Sequence, residues 1–190
     1  MKPFNSHLGP VLLVTCFAFL VATQSSHGQT TLRVDHAIEW TRQWGTSSSD
    51  VGSGIATDDL GNIFVTGYTQ ENLDGSSVLG NDIFLTKYDT DGILQWSRQL
   101  NMTDDDRGQA VSTDASNNVY ITGYTRLGAI VSKFDAAGTQ VWTQQFGTSS
   151  NDRGFGISAD AMGSVYVSGS TANDLGSPYA GGGSDAFLRK

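Results

Sequence analysis

The sequence predicts an all-β chain built from three copies of one four-stranded unit, preceded by a segment that stands outside the fold. Three observations carry this. Trp40, Trp96 and Trp142 each open a stretch in which Asp recurs ten residues on (Asp50, Asp106, Asp152) and eighteen on (Asp58, Asp114, Asp160), and Gly recurs twenty-seven on (Gly67, Gly123, Gly169). The apolar runs between these markers are short, rich in Val, Ile, Phe, Tyr and Thr, and bounded by Gly, Asp, Asn and Ser clusters, as strands and turns are. Finally, 23 of the 190 residues are Gly and only 16% are charged, a balance that favours turns over solvated helices.

The first segment reads as an address. Lys2 lies in a stretch without acids, residues 11–22 are almost unbroken apolar, and Ser26-His27-Gly28 places small residues before a cut after Gly28. The apolar core is far shorter than the roughly 20 residues of a spanning helix. Residues 1–28 are therefore expected to be a cleaved signal peptide, which takes Cys16 with it, and residues 29–37 a lead-in. No cysteine follows Cys16, so the exported chain must rely on burial and hydrogen bonding rather than disulfides.

Residues 38–190 hold the repeats, taken as 38–93, 94–139 and 140–190. In the first copy the four runs are 39–44, 54–57, 62–68 and 82–88. Ile63-Phe64-Val65 and Ile83-Phe84-Leu85 are apolar at successive positions, so both faces of the sheet must be covered. The copies lie 56 and 46 residues apart, and the difference falls between the repeated Gly and the next apolar run, which marks that stretch as a loop. After the leader, Glu39 and Glu71 are the only glutamates and Lys87, Lys133 and Lys190 the only lysines, which excludes a helical solenoid. A four-stranded sheet covered on both faces by its own copies is the blade of a β-propeller. Propellers close with about four to eight blades, so three units are expected to form an incomplete ring with open blade faces that invite self-association.

The residues also carry a resemblance. Asp58-Asp59-Leu60-Gly61-Asn62-Ile63-Phe64-Val65-Thr66-Gly67-Tyr68-Thr69, then Asp82-Ile83-Phe84-Leu85-Thr86-Lys87-Tyr88-Asp89, Gly92 and Trp96, is similar to the SBBP (seven-bladed β-propeller) repeat of secreted bacterial proteins. The second copy matches through Asp114, Asn118-Val119-Tyr120-Ile121-Thr122-Gly123, Lys133-Phe134-Asp135, Gly138 and Trp142, with Asn117 in place of Gly. In the third, Ser164 replaces Asn. NHL repeats and quinone-cofactor dehydrogenase repeats share parts of the pattern but fit less well. The resemblance implies a propeller and no shared catalytic motif.

Candidate sites weigh towards scaffold. Asp50 and Asp152 lie in Ser-x-Asp-x-Gly, and an Asp needed once per unit reads as a turn-forming acceptor. Asp104-Asp105-Asp106 and Asp89-Thr90-Asp91 offer oxygens to calcium, yet neither completes an EF-hand pattern. His36, the one histidine after the leader, precedes the repeats, which argues against a Ser-His-Asp site. Trp40, Trp96 and Trp142 read as blade packing, with Arg42 placed to stack between Trp40 and Trp44. Asn101-Met102-Thr103 fits a glycosylation acceptor. No catalytic, cofactor-binding or metal-binding residue is assigned, and no cofactor is expected.

With a net charge of −8 the chain lacks the basic surface for nucleic acid or anionic lipid. The expected function is an exported, non-catalytic module outside the cytoplasm that binds protein or polysaccharide through loops 70–81 and 172–184, as part of a larger propeller. The alternative is an extracellular glycan hydrolase or lyase using Asp residues at the central channel.

Overall fold

A computed structural model describes residues 38–73, 80–103, 105–147, 151–176, 178 and 180–190. The expected leader and lead-in, with Cys16 and His36, lie outside the described residues, as does Asp104. The chain divides into two units, Met1–Glu39 and Trp40–Lys190, and every strand belongs to the second.

Among the described residues there are eleven strands and no helix. The first sheet is β1 (Asp50–Thr57), β2 (Ile63–Thr69), β3 (Asp82–Tyr88) and β4 (Leu94–Leu100), antiparallel in sequence order. The second repeats it with β5 (Arg107–Thr113), β6 (Val119–Thr125), β7 (Gly128–Phe134) and β8 (Gln140–Phe146). The third has three strands, β9 (Arg153–Ala159), β10 (Val165–Thr171) and β11 (Asp185–Arg189). The all-β class and the propeller blades expected from the sequence are thus present.

The phase of the sheets differs from that of the repeats. The sequence boundaries at 93/94 and 139/140 fall inside sheets, because the run opened by Trp96 pairs back onto β3 and that opened by Trp142 back onto β7. Residues 39–44, expected as the first strand of the first blade, form no strand; Arg42 and Trp44 lie against the first sheet instead. Lys87↔Trp96 and Lys133↔Trp142 hold the same register, so the outer strands are equivalent.

β2, β3, β6 and β7 are largely buried from end to end, as their unbroken apolar runs require. The core lies between the first two sheets, where Phe64, Ile83, Leu85 and Leu100 meet Val111, Val119, Ile121, Ile130 and Phe134. The innermost strands β1, β5 and β9 adjoin one another in turn. Their approach explains a repeated Gly: a Cβ on Gly108 would stand 2.5 Å from Thr66 Oγ1, and one on Gly154 would strike Thr122 Oγ1. Both threonine hydroxyls donate across their own sheet, to Phe84 O and Ile130 O at 2.8 Å.

Candidate functional site

The sheets have two unlike ends. At one, every turn is built on an aspartate. Asp58 accepts from Leu60 N at 3.0 Å and Asn62 N at 2.9 Å, Asp114 from Ser116 N and Asn118 N, and Asp160 from Met162 N and Ser164 N. Asp89 and Asp135 do the same between the outer strands, taking Ile93 N at 2.8 Å and Thr139 N at 2.7 Å. Each loop closes with a left-handed residue, Gly61 at φ 79° and Gly163 at φ 80°, and Asn117 fills that place in the second copy at φ 61°. Asn is among the few side chains that tolerate this conformation, which accounts for the departure from Gly.

The opposite end carries what varies. It holds loops 70–81 and 172–184, whereas Arg126-Leu127 suffices between β6 and β7. Here Asp50, Asp106 and Asp152 secure the segments leading into the inner strands. Asp50 accepts from Thr46 N at 2.6 Å and Thr46 Oγ1 at 3.0 Å. Asp106 accepts from Met102 N at 2.8 Å and Thr103 N at 2.7 Å, and also from the Thr103 hydroxyl. Asp152 accepts from Thr171 Oγ1 at 2.5 Å. Burial pushes the Asp50 carboxyl up, but the bonds from Thr69 and Thr46 outweigh it and hold its pKa below the ordinary value. Asp50 and Asp106 are thus turn acceptors, as their repetition suggested, whereas Asp152 is bonded across the sheet end by the Thr171 hydroxyl and the Ala172 amide.

Loop 70–81 is anchored at both margins of its described residues. Glu71 accepts from Ser47 Oγ at 2.9 Å and Ser48 Oγ at 2.7 Å, and these hydroxyls lower its pKa. Asn81 Nδ2 donates to Asp105 Oδ1 at 2.5 Å, and Asp106 N to Asn81 O at 2.7 Å, which ties the loop of the first sheet to the link into the second. Asp105 also pairs with Arg107 at 3.0 Å. Burial raises the Asp105 pKa, and Asn81 and Arg107 more than reverse it. Of the two calcium candidates, Asp105 and Asp106 are thus engaged by protein donors, and Asp89 accepts Asp91 N at 3.0 Å. Among the described residues no three His, Cys, Asp or Glu lie together.

The inner edge holds the feature that sequence reading missed. Each innermost strand carries a bulge, between Gly52 and Gly54, between Gly108 and Ala110, and opposite Ser168/Gly169. The extra residues are Ser53, Gln109 and Phe155, three different chemistries at one repeated position. Bulges re-aim side chains, and Phe155 is 49% exposed. The signal was the variable residue between two fixed glycines or small residues, visible only once strand pairing had singled it out.

The tryptophans pack as expected. Trp96 lies 6.0 Å from Phe64 and Trp142 6.2 Å from Tyr120, ring centre to ring centre. Arg42 stacks on Trp40 at 5.3 Å, while Trp44 turns away onto Phe84 and Tyr88. Arg107 covers Tyr68 at 4.7 Å and Arg153 covers Tyr124 at 4.6 Å, a cation–π contact at each junction between sheets.

No curated protein matches this chain. The profile of the SBBP β-propeller repeat matches at residues 39–74, 95–126 and 141–176, over half of the sequence. The matched stretches contain the Trp, the paired Asp positions and the Thr-Gly or Ser-Gly of each copy, so the repeated geometry and the repeated sequence are one pattern, and the chain belongs to the SBBP β-propeller repeat family.

Proposed function

We propose that this chain is an exported, non-catalytic propeller module that presents loops 70–81 and 172–184 to a protein or polysaccharide ligand outside the cytoplasm. The observation that carries the reading is the contrast between the two ends. One is fixed by near-identical Asp turns, and the other bears loops of unequal length on a rigid base, the arrangement by which a scaffold varies binding without disturbing its core. The repeated carboxylates favour scaffold over the glycan-cleaving alternative, since Asp50, Asp58, Asp106, Asp114 and Asp160 accept turn amides and Asp152 accepts from Thr171 and Ala172.

The test replaces residues 74–79 with Gly-Ser-Gly-Ser-Gly-Ser, which keeps the Glu71, Leu73 and Asn81 anchors, and compares binding to an array of soluble polysaccharides. Binding lost at an unchanged melting temperature supports the reading. Reducing ends released from any polysaccharide by the unaltered chain would instead favour the enzyme.

A further inference from the structure

Two pairs of arginines are used in opposite ways. Arg42 donates to Gly92 O at 2.7 Å, Asp91 O at 2.8 Å and Thr41 O at 3.1 Å, and Arg98 to Gly138 O and Ser97 O at 2.7 Å and Ala137 O at 3.3 Å. Their guanidinium groups are committed to backbone carbonyls. Arg107 gives only its Nε, to Asp105 Oδ1 at 3.0 Å, and Arg153 donates to no acceptor among the described residues. Both are held all the same, Arg107 over Tyr68 at 4.7 Å and Arg153 over Tyr124 at 4.6 Å.

These four side chains form one row across three sheets. Tyr68 lies on β2, Arg107 on β5, Tyr124 on β6 and Arg153 on β9, and Arg107 is the direct cross-strand partner of Tyr124. Rings and cations therefore alternate at the end that bears the variable loops. The Arg107 side chain is 34% exposed and that of Asp105 46%, so the row is open to solvent. Burial raises the Asp105 pKa, and Asn81, Arg107 and, through space, Arg153 bring it down, which places both guanidinium groups in the neighbourhood of one carboxylate.

The unspent N–H groups fix the chemistry of what can lie there. A guanidinium held on a ring has lost its rotamer freedom in advance, so a hydrogen bond from it to a ligand costs little further ordering. A polyanion supplies acceptors, but it would meet a chain of net charge −8 and the Asp105 carboxylate within the row. A polycation would meet two guanidinium groups. The tyrosine faces are covered by the arginines, which leaves polar groups rather than the open aromatic anchor that protein partners use. A sugar hydroxyl accepts from arginine and donates to aspartate without bringing charge.

We propose that this row binds an uncharged polysaccharide, with Arg107 and Arg153 donating to its hydroxyls and Asp105 accepting from one. The inference rests on the reading of the chain as a non-catalytic binding module and selects polysaccharide over protein as the ligand.

Affinity electrophoresis of the full chain through gels containing dextran, laminarin, galactomannan or polygalacturonate provides the test. At least one of the three neutral polymers should retard the chain, and polygalacturonate should not. Arg153→Met removes the donors, and Arg153→Lys keeps a cation over Tyr124 but loses the fork; each should weaken the retardation about tenfold or more. Both variants are run below their melting temperatures. Equal retardation of the wild type and the two variants, retardation by polygalacturonate in place of the neutral polymers, or none by any polymer overturns the inference. Reducing ends released from a polymer held through Arg153 would leave the inference standing and remove the non-catalytic reading.

Discussion

At the residue scale, one aspartate does more than its equivalents. Asp114 accepts from the Ser116 and Asn118 amides, from Asn118 Nδ2 at 2.8 Å and from the buried Tyr120 hydroxyl at 2.8 Å, whereas Asp160 holds two backbone amides. Asp114→Ala should therefore cost the most of the three turn variants, about 1–3 kcal/mol, and Asp160→Ala the least, in urea unfolding. Burial raises the Asp114 pKa, and the bonds from Asn118, Tyr120 and Ser116 reverse this and set it below the ordinary 3.8. A carboxyl whose folded pKa is depressed stabilises above its unfolded pKa and loses that stabilisation as pH falls through the folded value. Wild-type stability should thus fall on acidification below about pH 4, and Asp114→Asn should flatten that decline. An unaltered slope would show that the acid loss arises elsewhere.

At the scale of the element, the repeated Gly of β2, β6 and β10 enforces the bulge on the neighbouring inner strand. A Cβ on Gly123 would overlap Arg107 O, as one on Gly67 would overlap Val51 O and one on Gly169 would overlap Arg153 O. The carbonyl belongs to the backbone, so no side-chain rotation relieves the overlap. Gly123→Ala should cost about 3 kcal/mol or more, while Gly183→Ala, with open space around it, should stay within about 0.5 kcal/mol. Chemical denaturation of the two variants checks this. Comparable losses would mean that the strands shift to admit the methyl group.

At the scale of the whole molecule, the sheets cohere through nearest-neighbour junctions, as repeat proteins do. Each junction combines glycine-to-threonine contact with a cation–π stack. Arg153 on Tyr124 isolates the second part more cleanly than Arg107 on Tyr68, because Arg107 also pairs with Asp105. A double-mutant cycle with Arg153→Met and Tyr124→Leu should give a coupling of about 0.5–1 kcal/mol. A coupling near zero would show that the rings are covered without being stabilised.

Much of this was legible in the sequence because it is local. Turn aspartates bond to amides two and four residues on, alternating and continuous apolar runs set strand burial, and the offset of each Asp from its Trp repeats, so the strands, the turns and the propeller blades follow from spacing alone. The phase of the sheets does not. A periodic sequence has no natural beginning, and any shift of the repeat frame describes it equally well; only the pairing of Trp96 and Trp142 back onto Lys87 and Lys133 determines where a sheet ends. The bulged Ser53, Gln109 and Phe155 were hidden for a related reason, since a bulge exists only relative to a partner strand. That residues 40–44 lie against the first sheet without forming a strand was likewise decided by contacts that sequence distance conceals.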